Sequence, residues 1–98
     1  MTVEIKRHAE ETIIKLAGRL DTTTAPSLDK TIQGDIGDVK NLILDFKELE
    51  YISSAGLRVL LGAQKKLQKV GSMKVTNVRE EVMEIFEMTG FADILTIE

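Results

Sequence analysis

The sequence has no cysteine and no tryptophan, and only one histidine, one proline and one tyrosine in 98 residues. Without cysteine there is no disulfide framework and no thiolate metal site. With His8 as the sole histidine, most zinc constellations and most hydrolytic triads also fall away. No apolar run approaches the roughly 20 residues that span a bilayer. The opening MTVEIKRHAE lacks the apolar core of a signal peptide. The expectation is a soluble, cytoplasmic chain with no membrane insertion and no cofactor. The net charge is -3, with acids and bases interspersed. The basic excess of a nucleic-acid binder is missing, so direct nucleic-acid contact is not expected.

What is present is a globular composition, 43% hydrophobic and 30% charged. The length suits a single domain, 1–98, with one modest core. No internal repeat, low-complexity tract or linker divides it.

Residues 2–7 alternate, with Val3 and Ile5 on one face, the signature of a strand. HAEE makes a turn, and 11–17 reads as a second strand with Ile14 and Leu16 inward, pairing with the first as a hairpin. GRLDTT, 18–23, reads as a loop. Thr24-Ala-Pro is a hydroxyl cap with proline in the first turn, a helix start. Ala25, Leu28 and Ile32 share one face of that helix, and the two glycines of GDIGD end it. The LIL run within 41–46 predicts a central strand covered on both faces.

From Leu57 onward, Leu60, Leu61, Gln64 and Leu67 recur at helical spacing, with Arg58, Lys65, Lys66 and Lys69 away from that stripe. Gly71 stops this second helix. Residues 73–76 form a short strand. Residues 80–89 form a third helix, with Val82, Ile85, Phe86 and Thr89 on one face and glutamates on the other. Met83 and Met88 flank the core face and read as packing. Gly90 caps the helix, and 94–97 is a last strand. The order ββαβαβαβ is an α/β fold: a mixed, mostly parallel sheet with an antiparallel N-terminal edge strand and helices packed on it.

In such sheets function gathers where strand C-termini meet helix N-termini. YISSAGLRVLL, 51–61, places Ser53 and Ser54 at that kind of junction. Serine is a leading N-cap, worth about 1 kcal/mol. Yet the first turn, Ala55-Gly56-Leu57-Arg58, has no acid to complete a capping box. Its free amides would accept an anion, bound or covalent. Ala55 and Gly56 also leave little bulk around the hydroxyls. No GxxxxGK and no GxSxG occurs, and no acid–base constellation surrounds the pair, so an enzyme is not expected. Phosphorylation of a serine by another protein fits better.

Three stretches carry a family resemblance: GRLDTTTAPSL at 18–28, NLILDFKELEYISSAGLRVLL at 41–61 and EIFEMTGFADIL at 84–95. Together, in this order, they make the chain resemble the anti-sigma factor antagonists of the STAS domain family, over essentially its whole length. The resemblance implies a partner switch. The unmodified antagonist binds an anti-sigma factor that is also a serine kinase, and the sigma factor is released. Phosphorylation with ATP weakens the complex, and a serine phosphatase resets it.

The usual family motif is Asp-Ser-Ser/Thr-Gly-Leu, modified just before the glycine. In that register Ala55 takes the acceptor place, Ser54 the preceding serine and Ser53 the aspartate. Similar sequences with SSAGL make Ser54 the first candidate acceptor and Ser53 the second. Asp21 matches the aspartate of the family's Gly-x-Leu-Asp loop. By the same resemblance, Asp21, Thr22, Thr23, Ser53, Ser54, Leu57 and Arg58 form the partner-binding set. Asp21 reads equally as a turn aspartate bonding its own backbone, the threonines as local caps, and Arg58 as part of a solvated helix face. Ala55 leaves room for an alternative, a non-phosphorylated docking subunit of a transporter or larger signalling complex.

Overall fold

A computed structural model of the chain describes residues 1–35 and 39–98. Strands β1 (Thr2–Arg7) and β2 (Glu11–Leu20) form a hairpin, closed where the His8 N–H donates to the Glu11 carbonyl at 2.8 Å. Helix α1 (Ala25–Lys30) is prolonged by one wider turn, Thr31–Asp35, and leads to β3 (Asn41–Ile52). Helix α2 (Ser54–Val70), β4 (Ser72–Thr76) and α3 (Glu80–Thr89) follow. The sheet order is β1-β2-β3-β4, with β1 antiparallel to β2 and the other pairs parallel. This is the α/β architecture expected, with the antiparallel strand at the edge.

The alternation along β2, β3 and β4 fixes which side the helices take. Ile14 and Leu16, then Leu42, Leu44 and Phe46, then Met73 and Val75 are all at most 1% exposed. Register places Ile14, Leu44 and Val75 in one row across the sheet. Side chains two apart share a face. The buried apolar side chains of all three helices join this one cluster. Phe86 of α3 meets Phe46 of β3 with ring centroids 6.3 Å apart.

The opposite face is only half-covered: Ile13, Lys15, Ile43, Asp45 and Lys74 are half-buried there. This corrects the reading of LIL as a strand covered on both faces. Its middle residue, Ile43, lies across from Ile13, and that neighbour shields it in place of a second helix layer.

Other boundaries also moved. β2 continues through Leu20, so 18–20 is strand and not loop; Gly18, at φ +94°, sits where the parallel register slips. Long-range pairing with β3 outweighs the local loop signal there. Ala25, Leu28 and Ile32 are buried as expected, but the helix stop read at GDIGD falls partly on 36–38, outside the described residues.

Gly71 does end α2, and the Lys40 carbonyl occupies the space a side chain there would need. On α3, Val82 and Phe86 are buried, Thr89 is exposed, and Met88 is 86% exposed, so it is not a packing residue. The last strand shrinks to a single parallel bridge between Val75 and Ile97. Ile94 keeps helical backbone angles after the short turn Phe91–Asp93, which delays the chain's return to β4.

Candidate functional site

Because β2 and β3 run parallel, their C-terminal ends lie together. Arg19 pairs with Tyr51 and Leu20 with Ile52. The Ser53 N–H donates to the Leu20 carbonyl at 2.9 Å. One chain then turns into the Asp21 loop and the other into α2, so the two candidate segments leave the sheet side by side.

The two serines have different jobs. Ser53 is extended, φ -96° and ψ 176°, and is half-buried. Its Oγ accepts from the Gly56 N–H at 3.4 Å, a long cap bond, and its carbonyl accepts from Leu57 N–H at 2.9 Å. Ser53 is therefore the N-cap. Ser54 is the first residue of α2 and is exposed. Its hydroxyl makes no hydrogen bond among the described residues. Helix geometry gives the N–H groups of Ser54 and Ala55 no intrahelical acceptor, and no acid stands in the first turn. The positive end of the helix dipole thus faces solvent next to a free hydroxyl.

Gly56 is buried rather than open. A Cβ there would come within 2.8 Å of both Ile52 Cγ1 and Leu20 Cγ. In the sequence this glycine only leaves room around the hydroxyls; in the fold it serves instead close packing of the helix start on the two strand ends. Leu57 is only 6% exposed and belongs to the core, so it can shape the partner surface only from beneath. Arg58 is exposed.

The Asp21 loop is ordered by its own carboxylate. Asp21 Oδ1 accepts from Thr23 N–H at 3.0 Å and Thr24 N–H at 3.1 Å. The Thr24 hydroxyl donates to the Arg19 carbonyl at 2.9 Å, lies 3.2 Å from Asp21 Oδ1, and accepts from the Asp21 N–H at 2.8 Å. Thr24 precedes α1 but makes no side-chain cap bond, contrary to its expected role; the ring of bonds with Asp21 holds its hydroxyl elsewhere.

The Thr24 N–H, foremost, holds the Asp21 carboxyl below the usual carboxylate range; partial desolvation opposes it, and the Thr23 N–H, Thr24 hydroxyl and Arg19 add to the lowering. Thr22 and Thr23 project outward, both exposed. The turn role of Asp21 is thus present in full, at a position beside the serines.

Two residues of this end were not singled out from sequence. The Arg19 guanidinium lies 4.3 Å from the Tyr51 ring centroid, and its Nε is 3.8 Å from Asp21 Oδ2. Stacking of this kind is attractive by about 0.5–1 kcal/mol at exposed sites. Only the parallel register brings these residues together, and nothing local in either segment signals it.

His8 lies elsewhere. It ends the β1–β2 hairpin, beside the start of β3, where Asn41 Nδ2 donates to the Glu10 carbonyl at 3.2 Å. The length of β3, 12 residues, separates that end from Ser53, and a base cannot reach so far. Among the described residues, no group of three His, Asp or Glu side chains that could hold a metal is found. No helix there is long and apolar enough to cross a membrane.

The STAS domain sequence model matches residues 2–98. A Bacillus subtilis protein named anti-sigma-B factor antagonist is 30% identical, over 99% of this chain and 90% of its own. A Listeria monocytogenes protein of the same name is 32% identical, over 100% of this chain and 89% of its own. The fold is shared with the crystal structure of an anti-sigma factor antagonist from Mycobacterium paratuberculosis. The TM-score is 0.87 at 24% identity, covering 98% of this chain and 83% of that one.

Proposed function

The chain belongs to the STAS domain family, and from that premise we propose that it acts as an anti-sigma factor antagonist switched by phosphorylation of Ser54. In the unmodified state the surface made by the Asp21 loop, Thr22, Thr23, Ser53, Ser54 and Arg58 binds a cytoplasmic anti-sigma factor with serine kinase activity. The bound sigma factor is then released. Ser53 is the second candidate acceptor. The observation that carries the reading is the exposed, unbonded Ser54 hydroxyl at an acid-free helix start beside the ordered Asp21 loop.

The chemistry is a group transfer. The γ-phosphoryl of ATP passes to Ser54 Oγ, the hydroxyl proton leaves to the kinase, and ADP departs. A serine phosphatase reverses the state by hydrolysis. The phosphoserine brings about -1.5 to -2 charges at pH 7. The free amides of Ser54 and Ala55 can accept it without refolding the domain.

The partner, by contrast, meets a new anion in a surface formed around a neutral hydroxyl. Like-charge contact and desolvation in an interface cost several kcal/mol. A penalty of about 3 kcal/mol lowers affinity about a hundredfold. The switch therefore needs charge and not a change of shape.

The test is intact mass after incubation with the cognate kinase and ATP. A gain of one phosphate that disappears in Ser54→Ala supports the assignment. A gain that survives Ser54→Ala and disappears in Ser53→Ala moves the acceptor to Ser53. No gain with an active kinase that binds the chain refutes the switch. That last outcome favours a second reading, a constitutive docking subunit, for which the observation is Ala55 in the family's usual acceptor register.

A further inference from the structure

We propose that β1 is a self-association edge, through which two copies of the chain join their sheets antiparallel about Ile5. All six residues of β1 are exposed, and Val3 and Ile5 are 37% and 36% exposed although they share the face of the core. Among the described residues, no helix buries this edge. Its open backbone groups follow from the hairpin. The bonded pair His8–Glu11 sets the alternation, so Lys6, Glu4 and Thr2 bond to Ile13, Lys15 and Ala17. Val3 and Ile5 then point their N–H and C=O groups away from β2, toward the free edge.

That parity restricts how a second copy can add. Outward groups must face outward groups, so an antiparallel ladder can be centred on a residue but not between two residues. Centring it on Glu4 sets Glu4 against Glu4. Centring it on Lys6 sets Lys6 against Lys6. Like charges directly opposite are destabilising. Centring it on Ile5 sets Ile5 against Ile5 and Val3 against Arg7, and it places each Glu4 opposite the other copy's Lys6. This register uses the whole strand, joins the two exposed apolar side chains of the central pair and matches both charges.

Glu4 and Lys6 lie 3.8 Å apart within one strand, with side chains 63% and 48% exposed. An exposed pair of this kind is held weakly and is free to exchange. Charged edge strands commonly block pairing. Here the order of charges blocks the registers centred on Glu4, Lys6 and Arg7, and one centred on Val3 pairs only residues 1–5 with no charge match. The ladder runs antiparallel, so the two Ser54 ends lie at opposite ends of an eight-stranded sheet, both accessible. The inference does not rest on the proposed phosphorylation.

A six-residue edge buries less than the roughly 1,200 Å² of a standard interface, so the dimer is weak and needs about 0.1 mM or more of chain. Sedimentation equilibrium of the full chain across concentration tests it. The expected result is a mass that rises from monomer toward dimer. Glu4→Lys or Lys6→Glu alone lowers the association constant about tenfold, since two pairs per dimer turn repulsive. The double variant Glu4→Lys/Lys6→Glu restores it, and so does mixing the two single variants. Ile5→Pro removes an N–H that β2 does not use, so it abolishes association with the circular dichroism unchanged. A monomer mass throughout overturns the proposal. So does association that ignores the single reversals, or a double variant and a mixture no stronger than the singles.

Discussion

The backbone N–H of Ser53 donates to the carbonyl of Leu20 at 2.9 Å, across 32 intervening residues of chain. This bond extends the β2–β3 pairing one step past the sheet and sets the helix that Ser53 caps beside the loop that Asp21 orders.

Gly56 fits because nothing larger does. A Cβ there would press on Leu20 and Ile52 at 2.8 Å. Overpacking a core costs typically 1–3 kcal/mol, and the gain from replacing a helical glycine by alanine is about 1 kcal/mol. Gly56→Ala is therefore expected to destabilise the domain by up to about 2 kcal/mol in urea unfolding. Gly62, exposed in the same helix with nothing within 4 Å of a Cβ, is the control. Gly62→Ala should stabilise by about 0.5–1 kcal/mol. Equal effects at the two sites would contradict the packing argument.

Among the described residues the Ser54 hydroxyl has no hydrogen bond to lose, so Ser54→Ala should leave the melting temperature within about a degree or two, as surface changes usually do. Ser54→Asp places an acid at the positive end of α2 and should raise stability by about 0.3–1 kcal/mol. The same substitution should weaken binding to the anti-sigma factor at least about tenfold. Calorimetric titration beside thermal melts reads both. A variant that melts higher and binds as before would separate the helix effect from the proposed switch.

Ser53 behaves in the opposite way. Its Oγ serves the cap, through a long bond of 3.4 Å to the Gly56 N–H. Ser53→Ala should cost about 0.5–1 kcal/mol, at the lower end for a lost cap. Ser53→Asp, another strong N-cap, should recover most of it. Chemical denaturation of the three proteins makes the comparison.

Asp21 gives a pH dependence with a definite sign. Its carboxyl is held below the usual range, chiefly by the Thr24 N–H. The ordering it provides is complete above the unfolded value, about 3.9, and is lost as pH falls through the lower folded value. Amide shifts of Thr23 and Thr24 should therefore report a titration whose midpoint lies below the ordinary aspartate value, about 3.9. Asp21→Asn should show no such titration, and its loop amides should exchange faster at neutral pH. A midpoint at or above the ordinary aspartate value would sink the assignment.

Much of this was legible in the chain itself. The spacing of Val82 and Phe86, or of Leu57, Leu60 and Leu67, determines amphipathic helices. The alternation of Ile14 with Leu16 determines a half-buried strand. Gly71 and Gly90 mark helix ends, and the alternation of strand and helix leads to parallel pairing. The serine pair at a strand–helix junction was visible as well. These features depend on periods of two and 3.6 residues and on local backbone chemistry, which any short window contains.

Tertiary structure alone decided what depends on register. It gave the cap to Ser53 and left Ser54 free, buried Gly56, and carried β2 through a stretch that reads as loop. It left one face of the LIL strand half-open and brought Arg19 over Tyr51. For the extension of β2, the crowding of Gly56 by Leu20 and the Arg19–Tyr51 contact, the partner is many residues away in sequence. Pairing energy across strands then outweighs the preference of the segment itself.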